Sequence, residues 1–561
     1  MRASISHPHA ADRGAVWGAR QRLLLTLGFV LLAYAVIGGR LVLLAMRSPP
    51  TARTTPAEPL AFRPDIIDRQ GQLLATDIAV DSLYADPVLI LDLDEAVEKL
   101  SAALTGSDSA ELRKLLGDKS RRFVWVARGL TPRLAKRVHD LGLPGLGFRK
   151  EARRLYPMGA LTGHIVGSVN LDHGGIGGIE RGIDEALDKQ PLQAAAERAP
   201  VRLALDIGVQ HTAAAELNAA IRHYRAVAAA GVVLDADSGE VLCAVSLPEV
   251  DPARTQDWLD PQRVDRVMGG TFELGSIFKT LTVALVLETG IADLDKVYDV
   301  RQPLLAPPYT ITDLHPQRRP LSVRDIFLHS SNVGAGMMAL EAGSERQRAF
   351  LDRLGLLQPL HTEAGSVSAP LLPRQWGRSE TITIGYGYGL ALAPLHFAAA
   401  FASLINGGHR VVPTFLQHAA ADAARVQVVS AQTSAKVREI LRLNVTSPAG
   451  TGRRADAEAY RVGGKTGTAE IPGRAGYRTQ AVITTFVAAF PMDAPRYVIL
   501  VSLFEPQTGE GGGREHVTAG ITSAPVTARL VERIAPLLGV LPRRVESAPA
   551  AETFDASPDT Q

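Results

Sequence analysis

Cysteine is almost missing from this sequence, which has 561 residues and one cysteine, Cys243. A single cysteine cannot form a disulfide within the chain, and nothing in the sequence resembles a zinc or haem site. In an apolar strand, a lone cysteine is most simply a small core residue. The sequence therefore predicts neither a metal nor a cofactor.

An excess of charge of either sign is also missing. The chain has 60 basic and 58 acidic residues, which gives a net charge of +2. Proteins that bind nucleic acids concentrate positive charge, so this balance predicts no nucleic-acid partner. With 46% hydrophobic and 21% charged residues the composition is globular. A chain of this length is too long for one core, so we expect two or more domains.

A long segment near the N-terminus, residues 23–46, is apolar apart from Thr26 and Arg40. It is long enough to cross a bilayer as a helix. A cleaved signal peptide is disfavoured, because the run is long and no clean Ala-x-Ala site follows it. The basic residues before the segment favour a cytoplasmic N-terminus. We predict a cytoplasmic tail at 1–22, a helix at 23–46 that crosses the membrane once, and a periplasmic or extracellular location for the rest.

Changes in composition divide the remaining chain. Residues 47–64 are proline-rich and predict a linker. Residues 65–225 predict a domain of strands and amphipathic helices, with no catalytic constellation. Residues 226–541 combine a hairpin, helices and a final cluster of strands, which predicts an α+β domain with helices on both sides of an antiparallel sheet. Residues 542–561 are polar and are predicted to be disordered.

Local patterns predict individual elements within these domains. Strands are expected over 80–87, 463–471, 481–489 and 497–505, and hairpins over 65–75 and 230–246. Helices are expected over 93–116, 132–141 and 523–538. A loop is expected at 385–389, and a mobile glycine-rich segment at 509–513.

The segment Gly275–Thr280 carries the first chemical signal. An apolar run follows it as far as Gly290, a plausible helix C-cap, so Ser276 is expected in the first turn of a buried helix. Lys279 then falls on the same helical face as Ser276. A desolvated neutral lysine can take the proton of a serine hydroxyl, and the helix N-terminus favours developing negative charge. This is the geometry of an acylating serine.

Two further motifs turn this weak signal into a specific one. Ser330 and Asn332 form a Ser-x-Asn motif, and the segment 465–468 reads Lys-Thr-Gly-Thr. The order Ser-x-x-Lys, Ser-x-Asn, Lys-Thr-Gly has a known acyl-serine mechanism. A Ser-x-Asn motif alone carries no information, since Ser168–Asn170 also contains one. The ordered set predicts catalysis through an acyl-serine.

With these residues in hand, the chain resembles the class B penicillin-binding proteins, and most closely the division-specific FtsI type of peptidoglycan D,D-transpeptidase. Beyond the three motifs, the resemblance rests on the segments Asp68-Arg69-Gln70-Gly71, Arg154-Leu155-Tyr156-Pro157 and Gly177-Gly178-Ile179-Glu180. It covers roughly residues 23–540 and implies that residues 65–225 are a pedestal or dimerisation-type domain and that residues 226–541 are the penicillin-binding transpeptidase domain. The sequence departs from the family pattern at Leu274, where many relatives have proline, and at Ala393-Pro394-Leu395-His396, where Thr-Pro-Leu-Gln is usual. Neither departure removes a catalytic group.

The resemblance implies a role for each residue of the first two motifs. Ser276 attacks the penultimate D-Ala carbonyl of a stem peptide and releases the terminal D-Ala. Lys279 is the general base, while Ser330 and Asn332 shuttle protons and position the donor.

For the third motif, the resemblance implies that Lys465, Thr466 and Thr468 hold the substrate carboxylate. The backbone N–H groups of Ser276 and Thr468 form the oxyanion hole. Gly467 lets its strand pass close to the serine. Strict alternation places Lys465 on the opposite face from Thr466 and Thr468, so all three serve one site only if the strand meets the cleft edge-on.

The resemblance further implies septal cross-linking of stem peptides, covalent inhibition by β-lactams, and partners that include a membrane-embedded lipid-II polymerase and other division proteins. Several alternatives stay open at this point. They are an elongation-type class B transpeptidase, a D,D-carboxypeptidase, a serine β-lactamase, a non-catalytic binding module and a bifunctional glycosyltransferase.

Overall fold

The computed structural model describes residues 12–46, 62–187, 199–417, 426–473, 476–508 and 517–543. The chain divides into two compact units, 1–61 and 62–561. Of the predicted linker at 47–64, residues 47–61 lie outside the described residues. The predicted mobile segment at 509–513 lies wholly outside them, as does the tail from residue 544.

The first unit contains one long helix, α1 (Asp12–Met46). Its segment Gln21–Leu43 is long and apolar enough to cross a membrane. The predicted membrane helix is therefore present as a helix. The helix also includes residues 12–22, which contain no proline to end it. The limits of the cytoplasmic tail and of the membrane span stay predictions.

The pedestal is built on a mixed sheet with the strand order β3-β2-β1-β5, and β4 pairs with β2. Its elements in chain order are β1 (Ile66–Ile67), β2 (Leu73–Ala85), α2 (Leu93–Ala103), α3 (Ser109–Gly117), β3 (Val124–Leu130), α4 (Pro132–His139), β4 (Leu146–Leu155), α5 (Gly163–Val166), α6 (Gly178–Leu187) and β5 (Val201–Arg202).

The predicted hairpin over 65–75 is confirmed, since Ile66 pairs with Ala75. The predicted separate strand over 80–87 is wrong. Residues 76–80 contain no glycine or proline, and they continue β2 without a break to Ala85, paired along their whole length with β4. The helical segment predicted over 93–116 is divided into α2 and α3, because the chain turns at Gly106, which has φ of 93°, and Asp108 caps a new helix. The helix predicted over 132–141 is confirmed as α4.

The following part of the chain forms a second sheet with helices on both faces. Its elements in chain order are α7 (Ile207–Tyr224), β6 (Ala228–Asp235), β7 (Val241–Leu247), α8 (Thr255–Leu259), α9 (Lys279–Glu288), β8 (Val297–Tyr298), β9 (Leu304–Ala306), β10 (Tyr309–Ile311), β11 (Leu321–Ser322), α10 (Val323–His329), α11 (Asn332–Ala342), α12 (Ser344–Arg353), β12 (His361–Thr362), β13 (Gly365–Ser366), α13 (Arg378–Tyr386), α14 (Pro394–Ile405), α15 (Ala431–Thr446), β14 (Gly463–Gly473), β15 (Gly476–Phe490), β16 (Tyr497–Phe504) and α16 (Ser523–Ile534).

This sheet is antiparallel, with the order β14-β15-β16-β6-β7. Alternate residues of its strands enter two different cores. Val232 faces a core that contains α9 and α14, whereas Val233 faces a core that contains α7 and α16. The predicted α+β class, with helices on both sides of an antiparallel sheet, is confirmed, as are its three C-terminal strands. Strand β14 lies at the edge of the sheet.

Two details bear on the predicted boundaries. The helix α7 precedes the predicted boundary at residue 226, yet its Val209 and Leu217 pack into the core of this sheet. A boundary ahead of α7 would keep that core within one domain, and the domain limits stay predictions. The loop predicted at 385–389 begins only at Gly387, because α13 continues through Gly385 and Tyr386. There Gly385 lets α13 pack closely on Ala339 of α11.

Candidate active site

Ser276 lies at the start of a buried helix, as the sequence predicts. Residues Gly275–Phe278 form one turn of 3-10 helix that runs directly into α9, and α9 is buried from Lys279 to Val286. Ser276 itself is partly accessible, whereas Lys279 is fully buried. The Nζ atom of Lys279 donates a hydrogen bond of 3.1 Å to the Oγ atom of Ser276. The hydroxyl is therefore open to a ligand on one side and in contact with an amine on the other.

Lys279 is surrounded by neutral acceptors. Besides Ser276, its amine donates to the Ser330 carbonyl, to Ser330 Oγ at 3.1 Å and to Asn332 Oδ1 at 2.7 Å. Burial lowers the pKa of Lys279 to about 7, and the more distant charge of Asp313 opposes this shift only in part. A substantial fraction of the amine is therefore neutral near neutral pH, which is what a general base requires.

Ser330 stands between two buried amines. It ends α10 in a left-handed backbone conformation, with φ of 58°, and non-glycine residues in this region are uncommon. Its Oγ atom accepts from Lys279 at 3.1 Å and from Lys465 at 3.0 Å. This one hydroxyl therefore joins the Ser-x-x-Lys motif to the Lys-Thr-Gly motif.

Asp313 supports the Ser-x-Asn motif, and the sequence analysis missed it. Its carboxylate accepts from Ser331 Oγ at 2.6 Å and from the backbone N–H groups of Asn332 and Val333 at 2.5 and 3.0 Å. These N–H groups open α11, so the charge also meets the positive end of the helix. No motif marks Asp313, because its position follows only from the packing of a loop on the helix N-terminus.

Lys465 reaches the site around the free edge of β14. Its side chain is fully buried, and its Nζ atom lies 3.0 Å from Ser330 Oγ and 3.2 Å from Thr466 Oγ1. The side chains of neighbouring residues leave a strand on opposite faces. Those of Lys465 and Thr466 can meet because β14 is the edge strand of its sheet. Burial lowers the pKa of Lys465 well below its usual range, and the charge of Lys279 adds to this.

Thr451 and Asn444 hold this edge in place and were also missed. Thr466 Oγ1 donates to Thr451 Oγ1 at 2.7 Å. Asn444, which is fully buried on α15, donates to the Gly464 carbonyl at 2.8 Å and accepts from the Thr451 N–H at 3.2 Å. The loop of Thr451 has no recognisable pattern, so only the folded structure reveals its contact with the motif.

Gly467 is the point of closest approach between β14 and the Ser276 turn. A Cβ atom at this position would lie 2.3 Å from the Leu274 carbonyl oxygen and 3.3 Å from the Ile277 nitrogen. A side chain at this position would therefore force β14 and the Ser276 turn apart. The next residue, Thr468, accepts a hydrogen bond of 3.1 Å from the Ala519 N–H at its hydroxyl.

The structure thus brings six of the eight predicted site residues into one hydrogen-bonded cluster. These are Ser276, Lys279, Ser330, Asn332, Lys465 and Thr466. Gly467 adjoins the cluster through its close contact with the Ser276 turn. Thr468 follows on the same strand without a hydrogen bond to the cluster among the described residues. The second Ser-x-Asn motif, at 168–170, lies in the pedestal and takes no part.

Comparison with known proteins gives two family matches along the chain. Residues 59–188 match the penicillin-binding protein dimerisation domain, and residues 229–524 match the penicillin-binding protein transpeptidase domain. The second match contains every residue of the hydrogen-bonded cluster. The first covers most of the pedestal.

Relatives match nearly the whole chain. It is 36% identical over 487 residues to the probable peptidoglycan D,D-transpeptidase FtsI of Caulobacter vibrioides, which covers 85% of this chain and 82% of the relative. It is 27% identical over 556 residues to the peptidoglycan D,D-transpeptidase FtsI of Escherichia coli K12, which covers 93% and 92%. Penicillin-binding protein 3 of Mycobacterium tuberculosis, complexed with ampicillin, aligns with a TM-score of 0.66 at 24% identity over 87% and 98% of the two chains. That last likeness shows a shared fold.

Proposed function

The chain belongs to the class B penicillin-binding proteins, and from this we propose that Ser276 is the residue that carries the acyl group in its reaction. The enzyme is a serine-type peptidoglycan D,D-transpeptidase, as its FtsI relatives are. One observation carries the assignment of Ser276. Its hydroxyl lies 3.1 Å from a fully buried lysine amine whose pKa is lowered to about 7.

The first half of the reaction follows from these contacts. The neutral Lys279 amine accepts the proton of Ser276 as Oγ attacks the penultimate D-Ala carbonyl of a stem peptide. The Ser276 and Thr468 N–H groups stabilise the oxyanion. When the peptide bond breaks, the terminal D-Ala amine leaves with a proton that Lys279 returns through Ser330. The acyl-serine then passes its peptide to the amine of an acceptor stem peptide. A β-lactam acylates Ser276 in place of the donor peptide, through opening of its ring amide, and stays bound as a penicilloyl ester.

The groups on β14 are suited to hold the carboxylate of the donor peptide. Lys465 supplies positive charge when a substrate carboxylate is present to offset its burial. Thr466 contributes a hydroxyl beside it. The Thr468 hydroxyl accepts from Ala519 and so keeps its own proton free to donate to the carboxylate. To Asn332, whose Oδ1 atom accepts from Lys279 at 2.7 Å, we assign the positioning of the donor peptide.

We place this enzyme at the inner membrane, with the N-terminus in the cytoplasm and the catalytic part in the periplasm. The apolar helix α1 supports an anchor, and the arginines at its start support the orientation. The names of the FtsI relatives support a role in septal synthesis during division, beside a lipid-II polymerase in the membrane and other division proteins. The elongation, carboxypeptidase and β-lactamase alternatives have no such support.

The decisive experiment is covalent labelling with fluorescent penicillin, followed by mass spectrometry of the adduct. The wild-type protein should carry the label on Ser276, and Ser276→Ala should fold but remain unlabelled. An adduct on any other residue would reject the assignment. Depletion in the cell then tests the biological role: filaments with unclosed septa are expected, and rounded cells would instead indicate elongation.

A further inference from the structure

Glu273 is a buried carboxyl group three residues before Ser276 that the reaction described above does not use. Its Oε1 atom accepts from the Gly389 N–H at 2.6 Å and from the Tyr477 hydroxyl at 3.0 Å. Its Oε2 atom is buried and has no hydrogen-bond partner among the described residues. Burying a carboxyl group is costly unless its contacts compensate, so its position calls for a reason.

The contacts of Glu273 join three separate segments of the chain. Gly389 belongs to the loop after α13, and Tyr477 lies on β15 opposite Pro472 of β14. Tyr388, next to Gly389, packs edge-on against the Tyr477 ring at 5.6 Å and accepts from the Glu470 N–H at 3.3 Å. We call Glu273, Tyr388 and Tyr477 the brace. It ties the turn before Ser276 to the distal part of the β14–β15 hairpin.

The brace bears on catalysis because the oxyanion hole is divided between the same segments. One of its N–H groups belongs to Ser276, and the other to Thr468 on β14. The two segments meet where Gly467 passes the Leu274 carbonyl. The brace fastens the residues on either side of this contact, Glu273 before Leu274 and Glu470 after Thr468. Small displacements of donors in such a site reduce rates strongly.

We propose that Glu273 is a positioning residue that holds the Ser276 turn against β14, so that the two halves of the oxyanion hole keep their separation. The proposal rests on Ser276 being the nucleophile. It requires Glu273 only as a hydrogen-bond acceptor at Oε1. Burial raises the pKa of Glu273, which favours the neutral acid. Glutamine, which is uncharged and retains an acceptor oxygen, should therefore replace it well.

The test separates binding from chemistry with a chromogenic penicillin in stopped-flow, on the full-length protein in detergent. Glu273→Ala should lower the limiting acylation rate by about 10- to 100-fold while the apparent dissociation constant changes little. Glu273→Gln should restore the rate to within about threefold of wild type. A role in stability alone would lower the melting temperature and the active fraction, but not the rate of the active fraction.

A matched control comes from α11. Glu341 accepts from the Tyr298 hydroxyl at 2.7 Å and from Lys296, at the end of the helix away from Asn332. Glu341→Ala removes a similar contact and should acylate at the wild-type rate. An unchanged rate in Glu273→Ala, or an equal loss in Glu341→Ala, would overturn the proposal. If Glu273→Ala does not fold, Tyr477→Phe serves in its place, with an unchanged rate again counting against the brace.

The same data distinguish this proposal from the assignment of the nucleophile. If the wild-type protein forms no adduct on Ser276, the assignment itself fails. If it labels on Ser276 and the Glu273 variants acylate equally fast, only the brace is rejected.

Discussion

Acylation of Ser276 should depend on pH through Lys279, because only the neutral amine can accept the serine proton. Burial lowers the pKa of Lys279 to about 7 from a usual value of 10.5. At pH 7 about half of the amines are then neutral, whereas only about three in 10,000 would be at the usual value. Burial therefore increases the reactive form by about 1,600-fold.

The quantity to measure is the limiting acylation rate at saturating penicillin, across the pH range in which the fold is stable. We expect this rate to rise about tenfold per pH unit below about pH 7 and to level off above it. Lys279→Ala should lower the rate by a factor of about 100 to 10,000 and abolish the dependence on pH. A wild-type rate in this variant, or a flat profile in the wild-type protein, would refute Lys279 as the base.

Lys465 provides the control, since its amine is also buried with a lowered pKa. In Lys465→Ala the pH profile should persist with its midpoint close to that of the wild-type protein, because the pKa of Lys279 is set by its burial and by the charge of Asp313. Thermal melting gives a second check. Between about pH 7 and 10.5 the unfolded chain binds a proton at Lys279 that the folded chain does not, so this residue makes stability rise with pH. Lys279→Ala should remove that contribution.

Three further predictions concern single substitutions. Lys465→Ala should weaken penicillin binding about tenfold or more, through loss of a charged hydrogen bond to the carboxylate, and a wild-type dissociation constant would contradict its role. Gly467→Ala should leave the protein folded but slow acylation by about 100-fold, because its Cβ atom would meet the Leu274 carbonyl at 2.3 Å; an unchanged rate would show that the strand can shift freely. Arg40→Leu should insert at least as well and still label with penicillin, since a cation within a bilayer is costly. If Arg40 contacts the lipid-II polymerase, the Arg40→Leu variant should also fail to co-purify with the polymerase and fail to support division. Full complementation by the variant would instead show that the Arg40 side chain only reaches the membrane interface.

Local patterns were sufficient to predict most of the fold and the catalytic motifs. The hairpin at Ile66, the strands around Lys465 and the helix after Ser276 all have clear periodicity or turn residues, and the structure has them where expected. The error over 80–87 arose because alternation reveals a strand but not whether two strand segments are continuous. The error at Gly385 arose because a glycine that permits close helix packing reads locally as a loop residue.

The supporting residues of the site could not be predicted in the same way. Asp313, Thr451 and Glu273 each act across a contact between segments distant in sequence, and none belongs to a repeating pattern. Carboxylates and threonines are common on surfaces, so their residue type alone gives no signal. The departure at His396 is explained only by packing. Its ring is buried away from the catalytic cluster, and its Nε2 atom lies 2.8 Å from the carbonyl oxygen of Gly355.

The hydroxyl of Ser330 between two buried amines has a consequence for how ligands bind. Burial lowers the pKa of both amines, and the charge of Lys279 lowers the pKa of Lys465 further. A ligand carboxylate beside Lys465 favours the charged form of that amine. Binding of the ligand should therefore take up a proton from the solvent. Affinity for the carboxylate should then fall as the pH rises, while the acylation step speeds up. The enzyme would therefore bind substrate most tightly at a lower pH than the pH at which it acylates fastest. Calorimetry in buffers of different ionisation enthalpy would measure the number of protons taken up on binding.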